Sequence, residues 1–228
     1  RMGFLDDVTQ TLGLAGEPGG LADLISDFEA KLVSAASHPH SVPALSAAVD
    51  AADRLSGRFV AAATEVQDAR AAADNAIARA VDGLNADLGR IAELNEDIRR
   101  ATLAGSAPNA LLDARQQTID RVSELVPVRE LARPNGVVAL LSEGGLLLDG
   151  DPVELAFVPA TAMDPATTLG GGLAPVTADG FAVDMARDRH LLSGGQLAAL
   201  FDLRDVTGPA AQADLEDAVE TWKKGVTS

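Results

Sequence analysis

Residues 44–104 read ALSAAVDAADRLSGRFVAAATEVQDARAAADNAIARAVDGLNADLGRIAELNEDIRRATLA, a stretch without proline in which apolar residues recur at steps of three or four. This period matches the turn of an α-helix, so the stretch predicts one long amphipathic helix. At about 1.5 Å rise per residue, such a helix extends on the order of 90 Å, far longer than an ordinary globular helix. Strict seven-residue spacing, typical of helices that pack side by side, relates Ile77, Leu84, Ile91 and Ile98.

Glycines leave an alternative open for this stretch. Gly57, Gly83 and Gly89 lie inside it, and each glycine in a helix interior costs about 1 kcal/mol relative to alanine. A kink or a break at one of them is therefore the alternative to one continuous helix.

Shorter helices are predicted on both sides of the long one. Upstream they span Gly3 to Leu12 and Leu21 to Ala36, separated by the breaker GEPGG at residues 16–20. Downstream a helix follows the loop that ends near Asn109, and helical patterns return at Leu197 to Leu203 and Ala210 to Trp222.

The helix that follows residue 108 carries an arginine on its apolar side. Asn109 is well placed as its N-cap. The inner stripe comprises Leu112, Arg115, Ile119, Val122 and Val126. Because a charge on a buried stripe requires a partner, Asp113 and Asp120, on or near the same face, are the candidates.

After Pro127 the period changes to short β-rich runs. The runs 137–142, 146–148 and 153–158 are separated by Asn-Gly, Gly-Gly and Asp-Gly pairs, which favour tight turns. They predict a small antiparallel meander. Residues 159–178 are rich in Pro, Gly, Thr and Ala and predict a loop, after which a strand at Phe181 to Ala186 rejoins the meander.

The predicted fold class is mainly α with a small antiparallel β portion (α+β). We expect an elongated bundle of long helices with a β meander inserted before the returning helices. The predicted division is residues 1–133 for the helical bundle, 134–192 for the meander with its Gly/Pro-rich loop, and 193–228 for the helices that return to the bundle.

Composition excludes several classes of function. The chain has 34 acidic and 18 basic residues, a net charge of −16, which disfavours nucleic acid or an anionic membrane as a partner. The absence of cysteine excludes disulfides, thiolate metal sites and cysteine nucleophiles. No apolar run approaches the roughly 18 residues that span a bilayer.

Residues 192–196 read LSGGQ, the signature of ATP-binding cassette proteins. That signature works opposite a phosphate-binding loop, GxxxxGK(S/T), whose lysine contacts the nucleotide. The sequence has no such loop and no lysine between Lys31 and Lys223. Nucleotide hydrolysis is therefore not predicted.

A mechanical interpretation of the same stretch fits better. Ser193 or Gly194 ends a loop, and Gly195 permits a close approach of two segments. The buried side of the short helix that follows comprises Leu197, Leu200, Phe201 and Leu203.

Other candidate sites lack the partners that their chemistry needs. The stretch TTLGGGLAP at 167–175 resembles a phosphate cradle but has no cation nearby, so a loop is predicted. His38 and His40 have no third ligand close by, and His190 has no nucleophile turn. The paired carboxylates lie on predicted helices beside polar neighbours, so nothing there predicts a raised pKa for acid catalysis. No catalytic residue, cofactor or metal site is predicted.

Three blocks of the sequence resemble one protein family. They are GGQLAALFDLRDVTGPAAQADLEDA at 194–218, LNEDIRRATLAGSAPNALLDARQQTIDRVSELVPV at 94–128, and the segment 21–70. They resemble segments of the flagellar hook-associated protein 1 family, the hook–filament junction proteins. The three blocks follow one another along this chain in the same order as in that family. The resemblance covers about residues 20–220 and corresponds to the family's central section, without the terminal segments that form its coiled-coil-like core.

The resemblance implies a structural protein that performs no catalysis. It implies export through the flagellar type III apparatus, folding outside the cell, and assembly as a ring of subunits that joins hook to filament. The implied partners are copies of the chain itself, neighbouring hook and filament proteins, and an export chaperone that binds a C-terminal segment missing here. The fragment alone is expected to be monomeric, and its expected location is the extracellular flagellum.

The resemblance also implies structural roles for the motif residues of the 94–128 block. Asn109 would cap the helix that Leu111 and Leu112 anchor. Asp113 and Arg115 would orient that helix against the long one by charge-assisted hydrogen bonds.

In the 194–218 block the implied motif residues are Gly194, Gly195, Leu203, Arg204 and Asp205. Arg204 and Asp205 would orient the chain where it leaves the β portion and re-enters the bundle.

Two alternatives remain beside the junction protein. One is another flagellar axial protein, flagellin-like or distal hook-associated, although the PNALLDAR and GGQLAALFDLRD blocks favour the junction family. The other is a helical adaptor or binding module, which would not multimerise onto hook ends.

Overall fold

The computed structural model describes residues 20–169, 171–187 and 189–226. The chain forms two compact units, a terminal unit of Arg1–Arg70 with Val206–Ser228 and a central unit of Ala71–Asp205. The helix predicted at Gly3 to Leu12 lies outside the described residues. The predicted division into residues 1–133, 134–192 and 193–228 rests on the type of secondary structure, whereas the two units are defined by their compactness. The three-part division therefore stays a prediction.

Helices dominate both units, as the sequence predicts. Helix α1 is Leu21–Ser37, α2 is Val42–Leu103, α3 is Asn109–Leu125, α4 is Gly195–Asp202 and α5 is Gly208–Val226, with a π-helical segment at Leu203–Thr207 between α4 and α5.

The predicted long helix is continuous: α2 runs for 62 residues without a break at any glycine. Its start is fixed by Ser41, whose Oγ accepts the Ala44 N–H at 3.4 Å. Its end is fixed by Gly105, whose φ of +72° suits glycine. The N–H groups of Gly105 and Ser106 donate to carbonyls in the last turn of α2, which closes the helix with a Schellman motif.

The β portion forms three small sheets within the described part of the central unit. Strands β1 (Arg129–Ala132), β2 (Val138–Leu141), β3 (Leu146–Asp149) and β4 (Asp151–Pro152) form an antiparallel sheet in that order. Strand β5 (Leu155–Ala156) pairs with β8 (Thr177–Ala178), which pairs with β9 (Phe181–Ala182), all antiparallel. Strands β6 (Thr168–Leu169) and β7 (Gly172–Leu173) pair in parallel.

The structure corrects three details of the predicted meander. Strand β1 lies at 129–132, a segment that the sequence analysis placed in the helical part. Residues 159–178 are not only loop, because β6, β7 and β8 lie within them. The strand predicted at Phe181 to Ala186 is formed only at its first two residues. Main-chain pairing between strands creates these elements, and the residue composition of each segment does not reveal that pairing.

Each unit has its own apolar core. In the central unit the seven-residue series Ile77, Leu84, Ile91 and Ile98 is fully buried. The first three of these residues pack with residues from α3, α4 and the strands. In the terminal unit, residues of α1, α2 and α5 form a smaller core, where the Phe28 and Trp222 rings meet edge to face at 5.6 Å. Aliphatic side chains therefore supply most of the packing in both units.

We predict that Gly83→Ala and Gly89→Ala each stabilise the protein by about 0.5–1 kcal/mol. A Cβ at either position meets nothing within 4 Å, so the gain in helix propensity is not offset by a clash. Urea unfolding followed by circular dichroism checks this prediction. Gly195→Ala is the matched control and should destabilise, because its Cβ would lie 2.4 Å from the Leu125 carbonyl oxygen. A lower unfolding midpoint for the helix variants would contradict the prediction.

Candidate functional site

The LSGGQ stretch forms a tight turn that leads into α4. The buried Ser193 accepts the His190 N–H on its Oγ at 2.7 Å. Gly194 and Gly195 have φ values of +75° and +67°, which favour glycine. Because Gly195 lacks a side chain, α4 begins directly against the Leu125 carbonyl at the end of α3. The turn therefore sets the position of α4 in the central unit.

Arg204, just after α4, is a buried charged residue of the 194–218 block, with 1% exposure. Its Nε and Nη2 donate to the two carboxylate oxygens of Asp205 at 2.6 and 2.9 Å. Its Nη1 donates to Asp74 Oδ1 at 2.7 Å. The guanidinium carbon also lies 5.3 Å from the ring centroid of Phe157 and 5.0 Å from that of Phe201. Two carboxylates and two aromatic rings therefore surround one cation.

The Arg204 guanidinium stays charged in this site. Burial lowers its pKa, but the hydrogen bonds and charges of Asp205 and Asp74 outweigh burial and raise the pKa above its ordinary value. The second oxygen of Asp74 accepts the Ala160 N–H at 2.6 Å. Both oxygens of this buried carboxylate are thus satisfied, and they join α2 to Arg204 and to the loop after β5.

Side chains of α2 hold the main chain of the β portion at two further points beyond Asp74. Asn85 accepts the Leu155 N–H at 3.0 Å and donates to the Leu155 carbonyl at 2.7 Å. Asn95 accepts the Val138 N–H at 3.2 Å and donates to the Val138 carbonyl at 2.8 Å. Each side-chain amide therefore pairs with both the N–H and the carbonyl group of one strand residue, as a neighbouring strand would. The β portion is therefore fixed to α2 by hydrogen bonds of defined register.

Arg115 joins α3 to the same network. Its Nη1 donates to Asn95 Oδ1 at 2.9 Å and to the Gly136 carbonyl at 2.7 Å. Burial lowers the pKa of Arg115, and the charge of Glu130 partly offsets this effect. Its hydrogen bonds thus go to an amide and a carbonyl, which provide acceptors without the cost of burying a carboxylate.

The structure corrects two expectations for the 94–128 block. The predicted cap at Asn109 is wrong, because Asn109 is the first helical residue, Pro108 occupies the cap position, and no side chain caps this end. Asp113 and Asp120, the expected partners of Arg115, are both exposed, and Asp120 accepts a hydrogen bond from a glutamine one turn earlier. Leu111 and Leu112 are half-buried.

The histidines and acidic residues form no metal site in the described part of the chain, where no group of three or more His, Cys, Asp or Glu side chains is placed to hold an ion. His38 and His40 are exposed. Within the described ranges, no helix has the length and apolar character needed to cross a membrane.

His190 is the half-buried histidine of the turn before α4. Its Nδ1 is buried and has no hydrogen-bond partner among the described residues. Burial lowers the pKa of His190, while the charges of Asp184 and Glu143 act in the opposite direction. The folded protein therefore favours the neutral imidazole.

We predict that Arg204→Ala destabilises the protein by about 3–5 kcal/mol, because it leaves the buried carboxylate of Asp74 and the partly buried carboxylate of Asp205 without their cation. The measurement is urea unfolding of the purified chain. Arg187→Ala is the control: Arg187 pairs with Asp184 at 3.2 Å on the exposed surface, where an ion pair contributes less than about 1 kcal/mol. If Arg204→Ala and Arg187→Ala lowered the free energy of unfolding equally, the buried network would not be the stronger contributor to stability.

We predict that His190 makes stability dependent on pH below about 6.5, the ordinary histidine value. Its pKa is lower in the folded chain, so the unfolded chain binds the proton first. The stabilising contribution is therefore fully present above the unfolded pKa and is lost as pH falls through the folded pKa. When the pH is lowered from 7 to 5, the urea unfolding midpoint of His190→Gln should fall less steeply than that of the unchanged chain. Parallel pH profiles for the two proteins would contradict this prediction.

The chain matches known proteins along most of its length. The family described as "Flagellar hook-associated protein FlgK helical domain" matches residues 6–224. Flagellar hook-associated protein 1 of Escherichia coli is 28% identical over 195 residues, which cover 84% of this chain and 35% of that protein. The protein of the same name from Salmonella typhimurium is also 28% identical over 195 residues, 84% of this chain and 34% of its own length.

A solved structure shares the fold. The flagellar hook junction protein FlgK from Burkholderia pseudomallei superposes with a TM-score of 0.71 at 22% identity, covering 89% of this chain and 36% of that one. The chain thus spans about a third of the length of the relatives that it matches. Because the family match extends over nearly all of the sequence, the chain belongs to the FlgK helical-domain family of flagellar hook-associated proteins.

Proposed function

We propose that this chain is the helical domain of a structural flagellar protein that joins hook to filament as a ring of subunits. The observation that carries the proposal is the family match over residues 6–224. The names of the relatives, flagellar hook-associated protein 1 and flagellar hook junction protein, support it. The matched family and the names of these relatives favour this function over the two alternatives, another axial protein and a helical adaptor.

The contacts of the central unit support a passive mechanical role. Arg204 pairs with the buried Asp74 and with the partly buried Asp205, and Asn85 and Asn95 pair with main-chain groups. Polar groups used in this way fix the packing of a domain. Under axial load several such hydrogen bonds must break together before the β portion shifts along α2.

The finer features of this proposal concern the whole protein. We expect it to be exported through the flagellar type III apparatus, to fold outside the cell and to act without catalysis. Its partners would be copies of itself in the ring, neighbouring hook and filament proteins, and an export chaperone that binds a segment outside this sequence. The family resemblance supports these features, and a net charge of −16 agrees with the expected absence of a nucleic-acid partner.

Deletion of the gene in the source bacterium tests the proposal. We expect cells with hooks but without attached filaments, with filament subunits released into the medium, and no swimming. Gold-labelled antibody against the central unit should mark the distal end of wild-type hooks in electron micrographs. The full-length protein carrying Arg187→Ala should restore filaments, whereas Arg204→Ala should restore fewer, because it destabilises the central unit. Normal filaments in the deletion strain would overturn the proposal.

A further inference from the structure

An apolar stripe on α2 is exposed in the terminal unit. Val42, Leu45, Val49 and Val60 are 75%, 46%, 60% and 64% exposed. The first three follow one another at steps of three and four, and Val60 lies eighteen residues after Val42, a whole number of turns at about 3.6 residues per turn. All four therefore share one face of α2. Between Val49 and Val60 the same face carries the exposed Asp53 and Ser56. Clustered exposed apolar side chains of this kind mark an interaction site.

The stripe runs into a groove between α2 and α5, both within the terminal unit. The groove has a volume of about 560 Å³, and its apolar lining includes Phe59, Val60 and Ala63 of α2 and Leu215 and Val219 of α5. Leu215 is buried and closes the floor, while Val60 stands exposed at the edge. The groove thus continues the apolar stripe and provides a concave surface that apolar side chains of a partner can enter.

Acidic side chains flank the apolar surface. Glu216, Asp217 and Glu220 of α5 line the groove, together with one cation, Lys223. Asp53 of α2 lies one turn after Val49, within the stripe, and is exposed. An apolar seam with one carboxylate in it and three beside it attracts a partner with basic flanks. It disfavours a second copy of this chain, which carries a net charge of −16.

We propose that the stripe and the groove bind an amphipathic α-helix of another protein, with apolar residues along its seam and Lys or Arg beside it. The occupant is a helix because the stripe repeats at three and four residues, the spacing at which two helices pack along a seam. The apolar side chains of the partner enter the groove, and its basic side chains face the three carboxylates of α5. This binding surface goes beyond the junction function and does not depend on it.

The experiment uses the complete 228-residue chain and its one tryptophan, Trp222, which neighbours Lys223 of the groove. The probe is a synthetic peptide of about three heptads with Leu at a and d and Lys at e and g. We expect saturable binding, measured by Trp222 fluorescence, that weakens with added salt. A peptide with Glu at e and g should bind at least about tenfold more weakly.

Two sets of variants locate the site. Val60→Ser should weaken binding of the Lys peptide at least about tenfold, whereas Val158→Ser, at a valine that is 69% exposed in the central unit, should leave it unchanged. The double variant Glu216→Lys with Glu220→Lys should prefer the Glu peptide, and circular dichroism verifies that it folds.

Three outcomes would overturn the proposal. They are equal binding of the two peptides, equal affinity of Val60→Ser and the unchanged chain, and self-association in sedimentation that Val60→Ser abolishes. The last outcome would identify a second copy as the occupant. None of these measurements involves hook or filament, so failure here is distinguishable from failure of the junction function.

Discussion

The hydrogen bonds from α2 side chains to the main chain of the β portion are the constraint on which the central unit depends. Strands β4 to β9 have two residues each, too short to be stable as independent sheets. Asn85 provides an acceptor and a donor to Leu155 of β5, while Asp74 and Asn95 bind the main chain at Ala160, in the loop after β5, and at Val138 of the longer β2. The buried face of α2 supplies the apolar surface beneath them. The helix is thus the template on which the β portion folds.

The sequence predicts this template well because helical periodicity is a local property. The seven-residue series from Ile77 to Ile98 identifies the buried face, and that face is fully buried. A second series, Asp74, Val81, Leu88 and Asn95, has the same spacing and is also buried. Two polar residues in an otherwise apolar series are the signal that would have identified the contacts to the strands. The sequence predicts one long helix but leaves a kink or break at a glycine open, because it does not show the tertiary packing that offsets the low helix propensity of glycine.

The rest of the site could not be predicted because its partners are distant in sequence. The family resemblance singled out Arg204 and its neighbour Asp205, but no local pattern connects Arg204 with Asp74 or with Phe157. The short strands within 159–178 have a Gly- and Pro-rich composition that resembles that of a loop. Strand β8 forms by pairing with β5, earlier in the chain, while β6 and β7 pair with each other. At Asn109 the cap was misplaced by one residue, because a proline occupies the cap position.

The separation of 130 residues between Asp74 and Arg204 has a consequence for the order of folding. A polypeptide that leaves the ribosome from its N-terminus presents the aspartate long before the arginine has been synthesised. Until then the carboxylate lacks the cation that permits its burial, and the core lacks Leu197 and Phe201. Contacts of such long range form slowly, since a large loop must close first. The nascent chain therefore cannot complete its central unit until the segment that carries Arg204 has been synthesised.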